Sequence, residues 1–181
     1  PFSFAGTTAD KELTNRGIIS AGDKSAVLYA KNNAAMLNAG TVTVGKESVG
    51  LYGVSVNDVE NKGTINVGEN SKGIYLKDGV LTGIFNSGKI LSSSDAAVGI
   101  ISDYNGGSTT LIKTTDEIKL TGENSVGIYT TGTGIQNVEN IGLIEIGASS
   151  DRNNPGMAIY NTGIGNTVLN TGTITAGNNS L

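Results

Sequence analysis

The sequence predicts an all-β protein that folds as a parallel β-helix of about seven rungs, each built from three short strands. The main observation is the pattern Asn-x-Gly-x-aliphatic-x-x-Gly-x-x-Ser-x-Gly-aliphatic-Tyr, which is complete in 38–52 and in 61–75. Looser or stretched copies cover 15–29, 86–101, 114–129 and 140–160, and 170–181 holds part of a further copy. Repeats of about 20 to 50 residues indicate a stacked array in which each unit buries its apolar face against its neighbours.

Apolar residues within one repeat alternate in twos, which indicates strands. Ile65 and Val67 form one such run, and Ile74 and Leu76 form the next. No window keeps the period of about 3.6 residues that an amphipathic helix requires. The first position of the pattern advances through 15, 38, 61 and 86, in steps of 23, 23 and 25 residues. At about 3.3 Å per residue this length suffices for one narrow circuit of three strands, and successive circuits would pair in parallel about 4.8 Å apart.

An asparagine recurs at the first position of the pattern, and we interpret it as a ladder at one corner of the coil. Asparagine tolerates left-handed backbone angles, and its side-chain amide can bond to the same amide one rung away. The column consists of Asn15, Asn38, Asn61, Asn86, Asn140 and Asn170. Metal binding or a glycosylation acceptor is the alternative.

The last two positions of the pattern predict an inner and an outer column. The inner column is aliphatic in every copy: Leu28, Leu51, Ile74, Ile100, Ile128 and Ile159. Alternation along a strand would then turn the next column outward as an aromatic stripe of Tyr29, Tyr52, Tyr75, Tyr129 and Tyr160, with Ile101 in the fourth copy. Exposed tyrosine rings offer a platform for sugar rings or for a partner protein. A purely stabilising ladder and the reverse parity, with the tyrosines in the core, are the alternatives.

Two insertions interrupt the repeat and are candidate partner-binding loops. The first covers 103–109, and its candidate contact residues are Asp103, Tyr104 and Asn105. The second covers 148–155, and its candidates are Ser149, Asp151, Arg152 and Asn153. Insertions in solenoids emerge on the outside, and binding residues concentrate on loops held by a rigid scaffold. Drift in loop length without any function is the alternative.

Composition argues against several classes of function. The net charge is −4 with no basic run, so we expect no nucleic-acid partner. Cys and His are absent, so we predict no metal or cofactor site. We also predict no enzyme, because carboxylate pairs such as Asp58 with Glu60 do not repeat and no histidine can shuttle protons. No apolar run approaches the about 18 residues that a membrane helix needs, so we expect no direct membrane insertion of this segment.

The repeat over 15–181 resembles the passenger repeats of monomeric Gram-negative autotransporters, in particular the very large fusobacterial outer-membrane adhesins. The resemblance implies a right-handed β-helix that leaves the cell by type V secretion and stays at the cell surface, anchored by a C-terminal barrel of its parent protein. It further implies a monomeric adhesin that attaches to host cells or other bacteria through a surface protein or a glycan.

Three hypotheses follow. The first is an adhesin segment that displays binding loops on a rigid coil. The second is a structural spacer with the binding region elsewhere in the parent, and the third is a carbohydrate-active β-helix enzyme. We expect 1–181 to be a single β-helix segment excised from a longer passenger, because it starts without Met and stops inside a repeat. Residues 1–14 would be an incomplete opening rung or a cap, in which Phe2 and Phe4 cover the first strand edge.

Overall fold

The computed structural model describes residues 2–5, 12–78 and 82–181, the first four by their backbone alone. These residues form twenty-one β-strands and no helix. The strands build three parallel sheets of seven strands each, and consecutive strands go to the three sheets in strict rotation. The chain is therefore a parallel β-helix of seven three-stranded rungs, as the repeat predicts.

Sheet 1 contains the strands that end the repeat pattern. In spatial order they are β1 (Phe2–Ala5), β4 (Ala26–Lys31), β7 (Val49–Val54), β10 (Lys72–Lys77), β13 (Val98–Asp103), β16 (Val126–Thr131) and β19 (Met157–Asn161). The first strand, β1, pairs in parallel with β4 of the next rung. The side chains of Phe2 and Phe4, which were expected to cover an edge, lie outside the described part of the chain.

Sheets 2 and 3 complete each circuit. Sheet 2 contains β2 (Glu12–Asn15), β5 (Ala35–Asn38), β8 (Asp58–Asn61), β11 (Gly83–Asn86), β14 (Thr109–Thr114), β17 (Ile135–Asn140) and β20 (Thr167–Asn170). Sheet 3 contains β3 (Ile18–Ala21), β6 (Thr41–Val44), β9 (Thr64–Asn66), β12 (Lys89–Ser92), β15 (Glu117–Leu120), β18 (Leu143–Ile146) and β21 (Thr173–Ala176).

The core is a narrow stack of aliphatic side chains. In sheet 1, Leu51, Ile74 and Ile100 pair in register and are fully buried, so the predicted inner column does face inward. Sheets 2 and 3 contribute matching columns through residues such as Ile84 and Ile90. The register is well specified, because a slip by one residue would turn each of these columns out to solvent.

The predicted asparagine ladder is present at the end of the sheet 2 strands, with one break at Thr114, whose Oγ1 accepts a hydrogen bond from Asn86 Nδ2 at 3.1 Å. The Nδ2 of Asn38 donates to the Oδ1 of Asn61 at 2.8 Å, and Asn61 donates to Asn86 at the same distance. In the first two rungs the Oδ1 also accepts from the backbone two residues on: Gly17 N donates to Asn15 Oδ1 at 3.0 Å, and Gly40 N donates to Asn38 Oδ1 at 3.3 Å. The hydrogen bond uses a backbone N–H that any residue except proline would supply, so the glycine of the pattern has a different cause: a Cβ at Gly40 or Gly63 would meet backbone atoms of the preceding rung.

The left-handed backbone angles predicted for the ladder are found at the two other corners of the coil. The ladder asparagines are not among the residues with positive φ, because they end extended strands whose side chains must reach the next rung. Left-handed residues recur between sheets 3 and 1, at Lys24, Glu47, Asn70, Ala96 and Asn124, and between sheets 1 and 2, at Asn32, Ser55 and Asp78. That part of the prediction is wrong.

A second polar ladder involves the serine of the pattern. Ser48 and Ser71 are fully buried. The Oγ of Ser71 accepts a hydrogen bond from Ser48 N at 2.8 Å and donates to Gly45 O at 2.7 Å. In the same way Ser48 Oγ accepts from Ser25 N at 3.0 Å. The serines therefore satisfy backbone groups at the corner where the chain enters sheet 1.

Candidate partner-binding face

The three outer faces of the coil differ in charge. The outer face of sheet 2 carries the ion pair between Lys113 and Glu139, at 3.0 Å. The outer face of sheet 3 carries Lys89 with Glu117 at 3.0 Å, and a similar pair of Lys119 with Glu145 at 2.8 Å. In each pair the lysine lies one rung before its glutamate. Among the described residues, no ion pair involves a strand of sheet 1.

The structure places the tyrosine column on the outside of sheet 1. Four of the five rings are partly exposed, and Tyr160 is 42 % exposed. The ring centroids of Tyr52 and Tyr75 lie 5.1 Å apart, with an angle of 13° between the planes. Tyr129 and Tyr160 stack in the same way at 5.1 Å and 15°, while Tyr29 is tilted by 40° against Tyr52 at 5.3 Å. The stripe thus consists of a group of three rings and a group of two.

Stacking changes what the stripe presents to a partner. Rings that lie face to face cover each other, so the outward parts are ring edges and hydroxyl groups. The stripe therefore does not offer the row of open ring faces that the sequence suggests as a platform for sugars.

An aliphatic column extends the stripe on the side where the strands begin. Val49, Val98, Val126 and Met157 occupy it and are partly exposed, with Lys72 between the first two. Six rungs at about 4.8 Å and a width of about 10 Å give this strip an area of roughly 300 Å². Apolar patches of about this size on a protein surface are often functional.

On the other side of the stripe the groups are polar except for Val54, which lies between Lys31 and Lys77. Lys77 and Asp103 are paired in register there, next to Tyr75 and Ile101. Partial burial, reinforced by the nearby charge of Asp103, raises the pKa of the Tyr75 hydroxyl above its ordinary value. This hydroxyl therefore stays protonated at physiological pH and can donate a hydrogen bond to a partner.

The first insertion is largely a structural turn. Tyr104 is 4 % exposed, and its hydroxyl accepts a hydrogen bond from Ser108 N at 3.2 Å. Its side chain therefore cannot contact a partner, contrary to its selection as a binding residue. Asn105 is exposed, and its Nδ2 lies 3.2 Å from the Oδ1 of both Asp78 and Asp103.

The second insertion likewise has one buried and three exposed candidates. Ser149 is 3 % exposed, and its Oγ lies 2.9 Å from Asn124 Oδ1 and 3.0 Å from Asn154 O. It therefore holds the loop together. Asp151, Arg152 and Asn153 are exposed.

Both insertions border sheet 1. The first follows β13, where the strand leaves the sheet, and the second precedes β19, where the chain enters it. The exposed residues of the two loops therefore lie at opposite sides of the tyrosine face, a juxtaposition that spacing along the sequence did not show. The sequence pattern does not single out the neighbouring valine column, because its residues differ from rung to rung.

The two carboxylates considered for catalysis, Asp58 and Glu60, lie two residues apart on β8. Glu60 pairs with Lys62 at 2.8 Å. In the described part of the chain, no group of three His, Cys, Asp or Glu residues could hold a metal ion. None of the described segments forms a helix that could span a membrane. Burial, together with the charges of Glu60 and Glu12, raises the pKa of Asp58 above its ordinary value.

Replacing Asp58 by asparagine is expected to raise the melting temperature at pH 7 by about 1 to 2 °C, the effect of a few tenths of a kcal/mol at a partly exposed site. A raised pKa means that the folded state disfavours the charged carboxylate, so stability is lost as the pH rises through the folded-state pKa. The gain should vanish near about pH 3, where the carboxyl is protonated in both states. Thermal melts of both proteins at the two pH values test this, and an equal gain at both would contradict it.

Comparisons of the chain with protein-family models, with curated proteins and with solved structures found no match.

Proposed function

We propose that this chain is a non-enzymatic binding segment of a cell-surface adhesin, held at the outer membrane through its parent protein and used for attachment to host cells or other bacteria. The observation that supports this most is the contrast between the outer faces of the coil. Cross-rung pairs of lysine and glutamate lie on the outer faces of sheets 2 and 3. Sheet 1 has no ion pair among the described residues, and it exposes an aromatic and aliphatic strip in which Lys72 is the one charged residue.

The coil suits such a strip because it fixes the contact groups before binding. The tyrosines are joined by in-register strands and, within each group, by ring stacking. Ordering side chains on binding costs affinity, and side chains that are already ordered avoid part of that cost. Hydroxyl groups along the stripe supply hydrogen bonds, while the valine column supplies apolar contact. A single strip of roughly 300 Å² is small for a stable complex, so attachment would depend on many copies acting together.

The exposed loop residues extend the same surface. Asn105 stands at one side of sheet 1, and Asp151 and Arg152 stand at the other. In this proposal the face of sheet 1 makes the principal contact and the loops add to it. The resemblance to autotransporter passengers adds the location at the cell surface. The alternative of a structural spacer differs in assigning no partner to this face.

A blocking assay tests the proposal. A non-adherent bacterium that displays this chain should attach to host cells or to a second bacterial strain, and the soluble chain in excess should block attachment. The double variant Tyr52→Ser, Tyr129→Ser should block at least about tenfold less well, because central aromatic residues supply most of the energy of such contacts. The matched control, Lys89→Ser with Lys119→Ser on sheet 3, should block like the unchanged chain.

Circular dichroism and thermal melts should show that both double variants keep the fold. If the unchanged chain neither attaches nor blocks, the spacer hypothesis is favoured. If the sheet 3 control loses as much activity as the tyrosine variant, the contact is not made by sheet 1. Replacing 151–153 by Gly-Ser-Gly measures the contribution of the second loop separately.

A further inference from the structure

The tyrosine stripe has a gap at Ile101. This residue pairs in register with Tyr75 on one side and with Tyr129 on the other. Tyr75 stacks on Tyr52 with one of its faces, and Tyr129 stacks on Tyr160 with one of its faces. The second face of each ring is therefore turned toward the rung of Ile101, and within the described chain no other ring stacks there.

The gap has the dimensions of one missing ring. Two strand spacings, about 10 Å, separate the rungs of Tyr75 and Tyr129. Neighbouring rings of the stripe lie 5.1 Å apart, so a ring midway would stack on both at the spacing used elsewhere. Ile101 itself is partly exposed and forms the floor. Its aliphatic side chain is shorter than tyrosine and leaves the outer part of this position open.

We call this gap above Ile101 the notch. The residues around it determine which flat ligands fit. Val98 and Val126 border it on one side and offer no hydrogen-bonding group. On the other side lies Asp103, whose negative charge contributes to the raised pKa of the Tyr75 hydroxyl. A sugar ring carries hydroxyl groups around its whole rim and would leave some of them unpaired against the valines. An aromatic side chain with a single polar hydrogen matches both sides.

We propose that the partner of this face inserts a tyrosine or tryptophan ring above Ile101, between the faces of Tyr75 and Tyr129, and donates its O–H or N–H to Asp103. The inference rests on the proposed function for its biological setting and adds the class of partner. That partner is a protein with an exposed aromatic side chain.

Binding of N-acetyl-L-tryptophanamide to the whole chain tests the notch directly. The chain contains no tryptophan but six tyrosines, so the probe is excited at wavelengths beyond the tyrosine absorption band, where the protein does not contribute. Saturable binding should move the methyl NMR signals of Ile101 upfield, because the inserted ring lies over them. Ile101→Tyr, which fills the notch from within, should weaken binding at least about tenfold. Leu111→Tyr is the matched control, since it adds an outward tyrosine to sheet 2 of the same rung and should leave binding unchanged.

A second variant, Tyr129→Leu, removes one wall and should weaken binding without filling the site. Thermal melts confirm that each variant is folded. The inference is overturned if the unchanged chain gives no saturable shift at Ile101, if Ile101→Tyr binds as well as the unchanged chain, or if Leu111→Tyr loses binding equally. It is also overturned if methyl β-glucoside binds the notch and the tryptophan probe does not.

The blocking assay separates this inference from the proposed function. If Ile101→Tyr blocks attachment as well as the unchanged chain, the adhesin proposal stands and the notch is not where the partner inserts. If the notch binds the probe but the chain neither attaches nor blocks, the notch is a binding site and the adhesin proposal fails.

Discussion

Replacing Asn61 by alanine is expected to lower the free energy of unfolding by about 3 to 5 kcal/mol. Asn61 is fully buried, donates to Asn86 Oδ1 at 2.8 Å and accepts from Asn38 Nδ2 at 2.8 Å. Alanine would leave a buried donor on one rung and a buried acceptor on the other, each costing about 1 to 3 kcal/mol. A small cavity adds to this loss. Urea unfolding followed by circular dichroism measures the effect.

The control for this prediction is Asn170→Ala at the end of the same ladder. Asn170 is exposed and accepts a hydrogen bond from Asn140 at 2.7 Å. Water can replace it there, so the expected loss is about 1 kcal/mol or less. Equal losses at the two positions would show that burial of the ladder contributes nothing to stability.

Gly63→Ala is expected to cost about 3 kcal/mol, for a steric reason. A Cβ atom on Gly63 would lie against the carbonyl oxygen of Gly40, and 2.9 Å from its N and C atoms. These are backbone atoms of a rung that is itself fixed by parallel pairing, so the two rungs would have to separate. The same unfolding measurement detects the loss.

Two other positions of this glycine column provide controls. A Cβ on Gly17, in the first rung, meets nothing within 4 Å, so Gly17→Ala should change stability by about 0.5 kcal/mol or less. Asp116 already carries a side chain at the equivalent place, and there Glu117 N lies 3.4 Å from Gly88 O, whereas Lys89 N lies 2.8 Å from Gly63 O. Asp116→Gly should therefore stabilise the coil. The steric explanation fails if Gly63→Ala and Gly17→Ala unfold at the same urea concentration.

The fold could be predicted because the same strand-forming pattern recurs in each repeat. Alternation around Ile65 and Ile74 gives strands, and the step of 23 residues gives the circuit. The recurring asparagine predicted the position of the ladder correctly. Its side-chain amide bonds to the amide of the next rung and to the backbone N two residues on, and both bonds follow from the residue type and its spacing. The left-handed angles were misplaced because tolerance of a conformation does not say which corner requires it.

The roles of the loop residues could not be predicted in the same way. An insertion shows where extra residues leave the coil, but the direction of each side chain depends on the next rung. Tyr104 turns inward because Gly134, one rung later, leaves room, where a Cβ would meet its ring at 2.4 Å. The two glycines Gly132 and Gly134 were the signal in the sequence. Similarly, reading Lys89 with Glu117 as a cross-rung pair requires the register, which the lengthened fourth repeat obscures.

The asparagine ladder gives the coil a direction. Each amide hydrogen bond runs the same way, from Asn15 to Asn38 and from Asn38 to Asn61, so the amide dipoles align along the axis. Within 15–86, duplication or deletion of one whole repeat leaves the remaining amides facing a partner, whereas a change of half a repeat interrupts the series. Further along, the series is already broken at Thr114, and the Oδ1 of Asn140 has no hydrogen-bond partner in the described chain. The length of this coil can therefore be changed by whole circuits, in evolution or by protein engineering, with little loss of stability.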